Sequence, residues 1–298
     1  MFNNLPNKAT LIEVGPRDGF QFEERTIPTD LKVEIIGGLV EAGLKHVQVT
    51  SFVHPARVPQ MADAEDLLSR LPEREGVIFS GLVLNVKGVE RAHQAGLRHL
   101  EISISASDTH SRKNSGMTLA QAIEKGAEMI KLAKKYNMIV RAGIQCAFGC
   151  VYEGKIPHIR VMELAQEFIK SGIDALALSD TTGMARPLQV KRILGKLLPQ
   201  TKDIPVILHL HDTRGLGLVN VMAALECGIT HFDTALAGMG GCPFVAGAAG
   251  NIATEDTAYL LEALSIETGV NISKITRCAK QLETFFGKQF SGKIHRVL

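Results

Sequence analysis

EAGLKHVQVTSF (41–52) closes an amphipathic segment on a glycine and then enters a β-branched run. A helix that ends needs a residue tolerant of the left-handed conformation just past its last turn, and glycine supplies it. The same phrase returns as QAGLRHL (94–100), KSGIDAL (170–176) and ECGITHF (226–232). One helix-to-strand junction is therefore used again and again. Short strand-like runs precede and follow these junctions: TLIEV (10–14), HVQVTSF (46–52), VIFSGLVL (77–84), HLEISIS (99–105), IVRAGIQ (139–145), DALALS (174–179), PVILHLH (205–211) and HFDTALA (231–237). Between them lie segments of helical period such as LKVEIIGGLVEAG (31–43) and LAQAIEKGAEMIKLAKKYN (119–137).

Strand and helix alternating eight times over roughly 250 residues predict an α/β protein with a (β/α)8 TIM barrel. A doubly wound open sheet is the rival, but its first strand would more often lead into a Gly-rich phosphate turn. Here that turn reads GPRDGFQ (15–21). A last helical segment, ISKITRCAKQLETFFGK (272–288), lies beyond the eighth unit. With no linker or low-complexity stretch, residues 1–298 are expected to form a single domain, with a C-terminal helical extension capping the barrel near residues 271–290.

The 298 residues are 45% hydrophobic and carry 33 basic and 31 acidic side chains, enough for a large core and too balanced for a nucleic-acid stripe. No apolar run approaches a membrane span, and the N-terminus has neither a secretory nor a transit pattern. Five cysteines, odd in number and few for the length, fit reduced thiols in the cytoplasm. Cys146 and Cys150 lack a second pair to complete a zinc site, so strand-end packing is their expected role.

Barrel active sites lie at the C-terminal ends of the strands. Polar residues concentrate there: Arg17-Asp18 after strand one, Ser179-Asp180 after strand six, and His209-Leu210-His211-Asp212 on strand seven. After strand eight comes GMGGCPFVAGAAGN (238–251), which sets Cys242 among five glycines and ends on Asn251. Residues two apart on a strand share a face, so His209 and His211 form a ready metal pair. Closure of the barrel makes strand eight the neighbour of strands one and seven, which lets Asp18 and Asn251 join them. Two imidazoles, a carboxylate and an amide oxygen favour Mg²⁺ or Mn²⁺ over structural zinc. Asn251 reads equally well as part of the helix start before ATEDTAYLLEAL (253–264). For the glycine loop there are two readings: tight turns with an incidental thiol, or a segment that closes over substrate and carries the thiol with it.

LIEVGPRDGFQ (11–21), TSFVHPARVPQMAD (50–63), CAFGCVYEGKI (146–156), HLHDTRG (209–215) and AGMGGCPFVAGAAGNIATED (237–256) together resemble the 3-hydroxy-3-methylglutaryl-CoA lyases, metal-dependent aldol and Claisen barrels. The similarity runs from about residue 10 to residue 272. It implies cleavage of a 3-hydroxyacyl-CoA, giving acetyl-CoA and acetoacetate from 3-hydroxy-3-methylglutaryl-CoA. It also implies a place in leucine degradation and ketone-body formation. By matching positions, Asp18, His209, His211 and Asn251 hold a divalent cation, Arg17 is the catalytic arginine and Cys242 the catalytic thiol. His209 or Asp180 takes the hydroxyl proton, and Arg17, Gln48, Ser51 and Asn85 contact an acyl-CoA substrate. A cytoplasmic homodimer joined through the C-terminal helices, with no nucleic-acid or membrane partner, completes the expectation.

Several positions depart from the family pattern. Glutamate at the end of strand two is replaced by Gln48, Asn-Glu-Lys after the first turn by Phe22-Glu23-Glu24, and tyrosine after His-Asp-Thr by Arg214. Arg25 could supply the cation lost at Glu24, and Arg214 could pair with a substrate carboxylate or lie solvated in its loop. A related substrate such as citramalyl-CoA, or a Claisen-type synthase, is the alternative. Metal-barrel hydrolases place their His-x-His on the first strand, whereas here it is on the seventh.

Overall fold

The structure is a computed structural model that describes residues 5–241 and 249–298. Its strands are β1 (Thr10–Glu13), β2 (His46–Ser51), β3 (Ile78–Val83), β4 (His99–Ser105), β5 (Ile139–Gln145), β6 (Ala175–Ser179), β7 (Val206–His209) and β8 (His231–Thr234). They form a closed parallel barrel in sequence order, sealed where Thr10–Glu13 pairs with His231–Thr234. The open-sheet alternative falls with that closure.

The helices among the described residues are α1 (Thr29–Glu41), α2 (Ala64–Arg70), α3 (Val86–Gln94), α4 (Asp108–Ser115), α5 (Leu119–Lys135), α6 (His158–Lys170), α7 (Pro187–Thr201), α8 (Gly217–Leu225), α9 (Thr254–Ala263) and α10 (Ile272–Phe286). The junction glycines behave as the sequence predicts: Gly43, Gly96, Gly172 and Gly228 have φ of 102°, 80°, 80° and 85°. Asn137, at φ 55°, does the same work between α5 and β5, a fifth junction hidden by its different residue type. Leu39, Val47, Leu100, Ile130 and Leu194 belong to the apolar shell between strands and helices. A separate small cluster of Ile12, Val14, Ala177, Ile207 and Ala235 packs within the barrel. Helix α10 lies against α1, so the C-terminal extension joins the outer helical ring.

Two local arrangements position the site. Residues 250–254 insert as a short extended segment between the continuations of β7 and β8. Ile252 N–H donates to Leu210 O at 3.1 Å and Ala235 N–H donates to Ile252 O at 3.0 Å. Beneath the first turn, Glu13 is fully buried and accepts from Gly15 N–H at 2.7 Å, Leu236 N–H at 2.9 Å and Thr254 Oγ1 at 2.6 Å. One carboxyl thus ties the ends of β1 and β8 to the start of α9.

Burial holds the Glu13 carboxyl up at about 7, against the pull of its hydrogen bonds. In the unfolded chain it ionises near its ordinary 4.5, so between those values the folded state keeps a proton that the unfolded chain has lost. Its contribution to stability therefore falls as pH rises from about 4.5 to about 7 and then levels. Glu13→Gln keeps the acceptor oxygen and removes the buried charge, on the order of 3 kcal/mol at high pH. Thermal melts should show a Tm several degrees above the parent at pH 8 and no gain at pH 5.

Candidate active site

Directly after β1 the chain makes one π-helical turn, Gly15–Gly19, which turns Arg17 and Asp18 into the mouth of the barrel. Gly19 is required there because a Cβ would lie 2.7 Å from Met239 Cβ, on the segment that follows β8. Arg17 donates from Nη1 to Asp18 Oδ1, and both are buried, 6% and 7% exposed. Burial alone would raise the Asp18 pKa, but the Arg17 charge and the His209 imidazole outweigh it and hold the carboxyl below its ordinary value.

His209 and His211 do share a face: their Nε2 atoms are 3.1 Å apart. One ligand-type atom from each of Asp18, His209 and His211 lies within 4.8 Å of the others, a grouping that could hold a metal ion. The inserted segment brings Asn251 beside them, bridged to His211 through the backbone. Its Nδ2 donates to Asp18 Oδ2 at 2.8 Å and to Met239 O at 3.0 Å. These bonds fix the amide and leave Oδ1 buried with no partner among the described residues. His211 Nδ1 is in the same position, and burial followed by the neighbouring His209 drives that imidazole's pKa down to about 3. A neutral imidazole and an unmatched amide oxygen next to an ionised carboxylate are what a divalent cation would satisfy, so the residues fit the group. The N-cap of α9 is Ala253, so Asn251 does not cap that helix.

His209 is oriented from behind. Its Nδ1 lies 3.0 Å from Asp233 Oδ2, which keeps Nδ1 protonated and turns the Nε2 lone pair toward Asp18 and His211. Burial opposes protonation of His209, but the Asp233 contact prevails and raises its pKa. Arg141 in turn grips Asp233 through Nη1 to Oδ1 at 2.8 Å and Nη2 to Oδ2, and lies 3.5 Å from Glu101 Oε2. Gln48 closes the circuit: it accepts from Arg17 Nε and donates to Glu101 Oε2 at 2.7 Å. No sequence motif marks Glu101, Arg141 or Asp233. Their signal was a charge alternating into otherwise core-like strands, HLEISIS, IVRAGIQ and HFDTALA.

Arg17, Asp18, Glu101, Gln145, His209 and His211 line a cavity of about 640 Å³, the size of a small-molecule site. Phe22, Glu24 and Arg57 stand along it as well. Other expected residues sit elsewhere. Ser179 and Thr181 line the cavity, while Asp180 between them is 1% exposed and accepts from Met184 N–H at 2.7 Å and Ala185 N–H at 2.9 Å. Burial raises its pKa to about 7, and Oδ2 has no partner among the described residues. Ser51 is buried at the end of β2, and Asn85 caps α3 by accepting from Gly88 N–H at 2.8 Å. Arg214 is exposed in its loop, as the solvated reading expects, and its Nη1 donates to Thr182 O and Gly183 O, both at 2.7 Å. Arg25 donates to Phe285 O and stacks 3.9 Å over the Phe285 ring. Cys146 and Cys150 are buried beyond β5, as expected of packing thiols. Cys242 lies outside the described residues.

Comparison with known proteins gives a consistent result. The sequence pattern of the HMGL-like family matches residues 8–282. The chain is 40% identical over 288 residues to hydroxymethylglutaryl-CoA lyase YngG of Bacillus subtilis (strain 168), covering 97% of this chain and 96% of that one. The crystal structure of the B. subtilis HMG-CoA lyase superposes with a TM-score of 0.95 at 39% identity, covering 98% of each chain. The structure of an HMG-CoA lyase from A. baumannii in complex with coenzyme A and 3-methylmalate superposes with a TM-score of 0.93 at 37% identity, over 97% of this chain and 95% of that one.

Because Asp233 holds the His209 tautomer, Asp233→Asn should weaken binding of a divalent cation by about 10- to 100-fold. Titration with Mn²⁺, following the free ion by electron paramagnetic resonance, measures this. The same substitution leaves Arg141 short of a countercharge, so the variant should also unfold at a lower temperature.

Proposed function

The chain belongs to the HMGL-like family, and we propose that it is a hydroxymethylglutaryl-CoA lyase: a carbon–carbon lyase that cleaves 3-hydroxy-3-methylglutaryl-CoA to acetyl-CoA and acetoacetate. The observation that carries this reading is the convergence of Asp18, His209 and His211 beside Arg17 on one cavity, with Asn251 hydrogen-bonded to Asp18 behind them. Those four residues would hold a divalent cation, Mg²⁺ or Mn²⁺ by the chemistry of the donor set, which when bound lowers the pKa of the substrate's tertiary hydroxyl and orients the bond to be broken.

The remaining work belongs to the chain. Breaking the bond between carbons 2 and 3 sends its electrons toward the thioester, and Arg17 donates to that oxygen as charge builds. The hydroxyl proton passes to His209, which lines the cavity, or to Asp180, which lies between the cavity-lining Ser179 and Thr181 and whose Oδ2 has no partner among the described residues. The acetyl-CoA enolate then takes a proton on carbon 2 from the Cys242 thiol, so the proton lost from oxygen is balanced by one gained on carbon. A role in leucine degradation and ketone-body formation, a cytoplasmic location and a homodimer built through the C-terminal helices accompany the reading. No described helix is long and apolar enough to cross a membrane.

The test is direct. Protein supplied with Mg²⁺ and 3-hydroxy-3-methylglutaryl-CoA should yield acetyl-CoA and acetoacetate by mass spectrometry, and chelation should stop it. Absence of both products from folded, metal-loaded protein overturns the assignment, and citramalyl-CoA is then the next substrate. Cys242→Ser and Asp180→Asn should each lower kcat by about 100- to 10,000-fold with little change in KM.

A further inference from the structure

Gln48 stands where two side chains of fixed polarity meet. Arg17 Nε can only donate, and the Glu101 carboxylate can only accept. A primary amide between them has one arrangement that satisfies both, and it is the one observed: Oε1 takes the Arg17 proton and Nε2 donates to Glu101 Oε2 at 2.7 Å. Gln48 is 1% exposed and Glu101 5%, so both contacts are buried.

From this geometry we infer that Glu101 is a positioning residue for Arg17, acting through the Gln48 amide. The carboxylate sets which end of the amide faces the guanidinium, and the amide oxygen then fixes the plane in which Arg17 presents its remaining N–H groups to the cavity. Without the charge at 101, the amide loses its reason to keep Nε2 away from Arg17, and two donors can face each other.

The surroundings are built for this arrangement. Pairing of β2 with β3 slips by one residue between Gln48 and Thr50, an irregularity of the kind that re-aims a side chain. Ser103 Oγ donates to Glu101 Oε1 at 2.8 Å, holding the carboxylate's other oxygen. Across the ladder Ser103 pairs with Gly143, where a Cβ would collide with Ser103 Oγ and come within 3.2 Å of Glu101 Oε1. Glu101 also lies 3.5 Å from Arg141 Nε, a longer contact that leads toward Asp233 and the metal side. The shorter bond to Gln48 makes Arg17 the main recipient of its effect.

The inference rests on the role of Arg17 in the proposed cleavage, and its test separates the two. Glu101→Gln should lower kcat about 10- to 100-fold, with KM and Mn²⁺ affinity within about threefold of the parent. Gln48→Met, which leaves Glu101 paired with Arg141 and Ser103, should show the same loss and guards against misfolding of the first variant. Exchanging the pair, Gln48→Glu with Glu101→Gln, places the carboxylate against Arg17 and an amide behind it, and should restore kcat to within about threefold of the parent. A parental rate in Glu101→Gln, or an exchange variant no better than Glu101→Gln alone, overturns the inference. So does a loss confined to Mn²⁺ affinity, which would route Glu101 through Arg141. A second readout needs no turnover. The Arg17 Nε–H resonance, assigned by its absence in Arg17→Lys, should be protected from exchange in the parent and the exchange variant and unprotected in Glu101→Gln. Failure of the parent to cleave the substrate would remove the proposed reaction and leave this resonance to decide the positioning role.

Discussion

Charge buried in the barrel's lumen must be matched there, because the surrounding strands offer no water to do it. Asp18, Glu101 and Asp233 are all held below their ordinary pKa, so three carboxylates share the lumen with the two guanidiniums of Arg17 and Arg141. At the top of the lumen, Asp18 meets two imidazoles and an amide oxygen that finds no partner among the described residues. The same constraint that fixes the rotamers of the buried network also brings together a group of ligand-type atoms that could hold a metal ion.

That network runs from Arg17 through Gln48, Glu101, Arg141 and Asp233 to His209. It draws on β1's following turn, β2, β4, β5, β8 and β7, so nearly the whole circumference of the barrel holds Arg17 and His209 in place. Rigidity of this kind suits a site that must present a donor to a developing oxyanion without reorganising at the moment of reaction. The barrel supplies the frame, and the network sets the orientation within it.

The positions that depart from the family pattern are explained from the same standpoint. Arg214 is spent on the carbonyls of Thr182 and Gly183, and Arg25 on Phe285. Both are structural clamps at the rim and leave the cavity's charge unaltered. Gln48 is different, because it touches Arg17 directly, and the carboxylate missing at that position is found one bond further on, at Glu101. The changed residues thus redistribute support for the site and leave its donor set in place.

Much of this was legible from residue order. Eight strands, the glycine junctions, and the His209–His211 pair follow from local rules: a left-handed residue where a helix must stop, and a period of two along a strand. Neighbourhood of the first and last strands follows from closure alone, which is why Asp18 could be joined to His209 on paper. The placement of Asn251 needed tertiary structure, since its segment earns its position only by hydrogen-bonding between the continuations of β7 and β8. The protein partners of Asn85, Arg25 and Arg214 needed it for the same reason: a polar side chain near a strand end has several partners within reach, and only packing chooses among them. Glu101, Arg141 and Asp233 carry the clearest lesson. Each is a single charge in a strand that otherwise reads as core, and what each does depends on partners 53 to 92 residues away in the chain. Local pattern determines which element a residue belongs to, while pairing of buried charge is settled across the lumen, between strands whose contacts exist only once the barrel has closed.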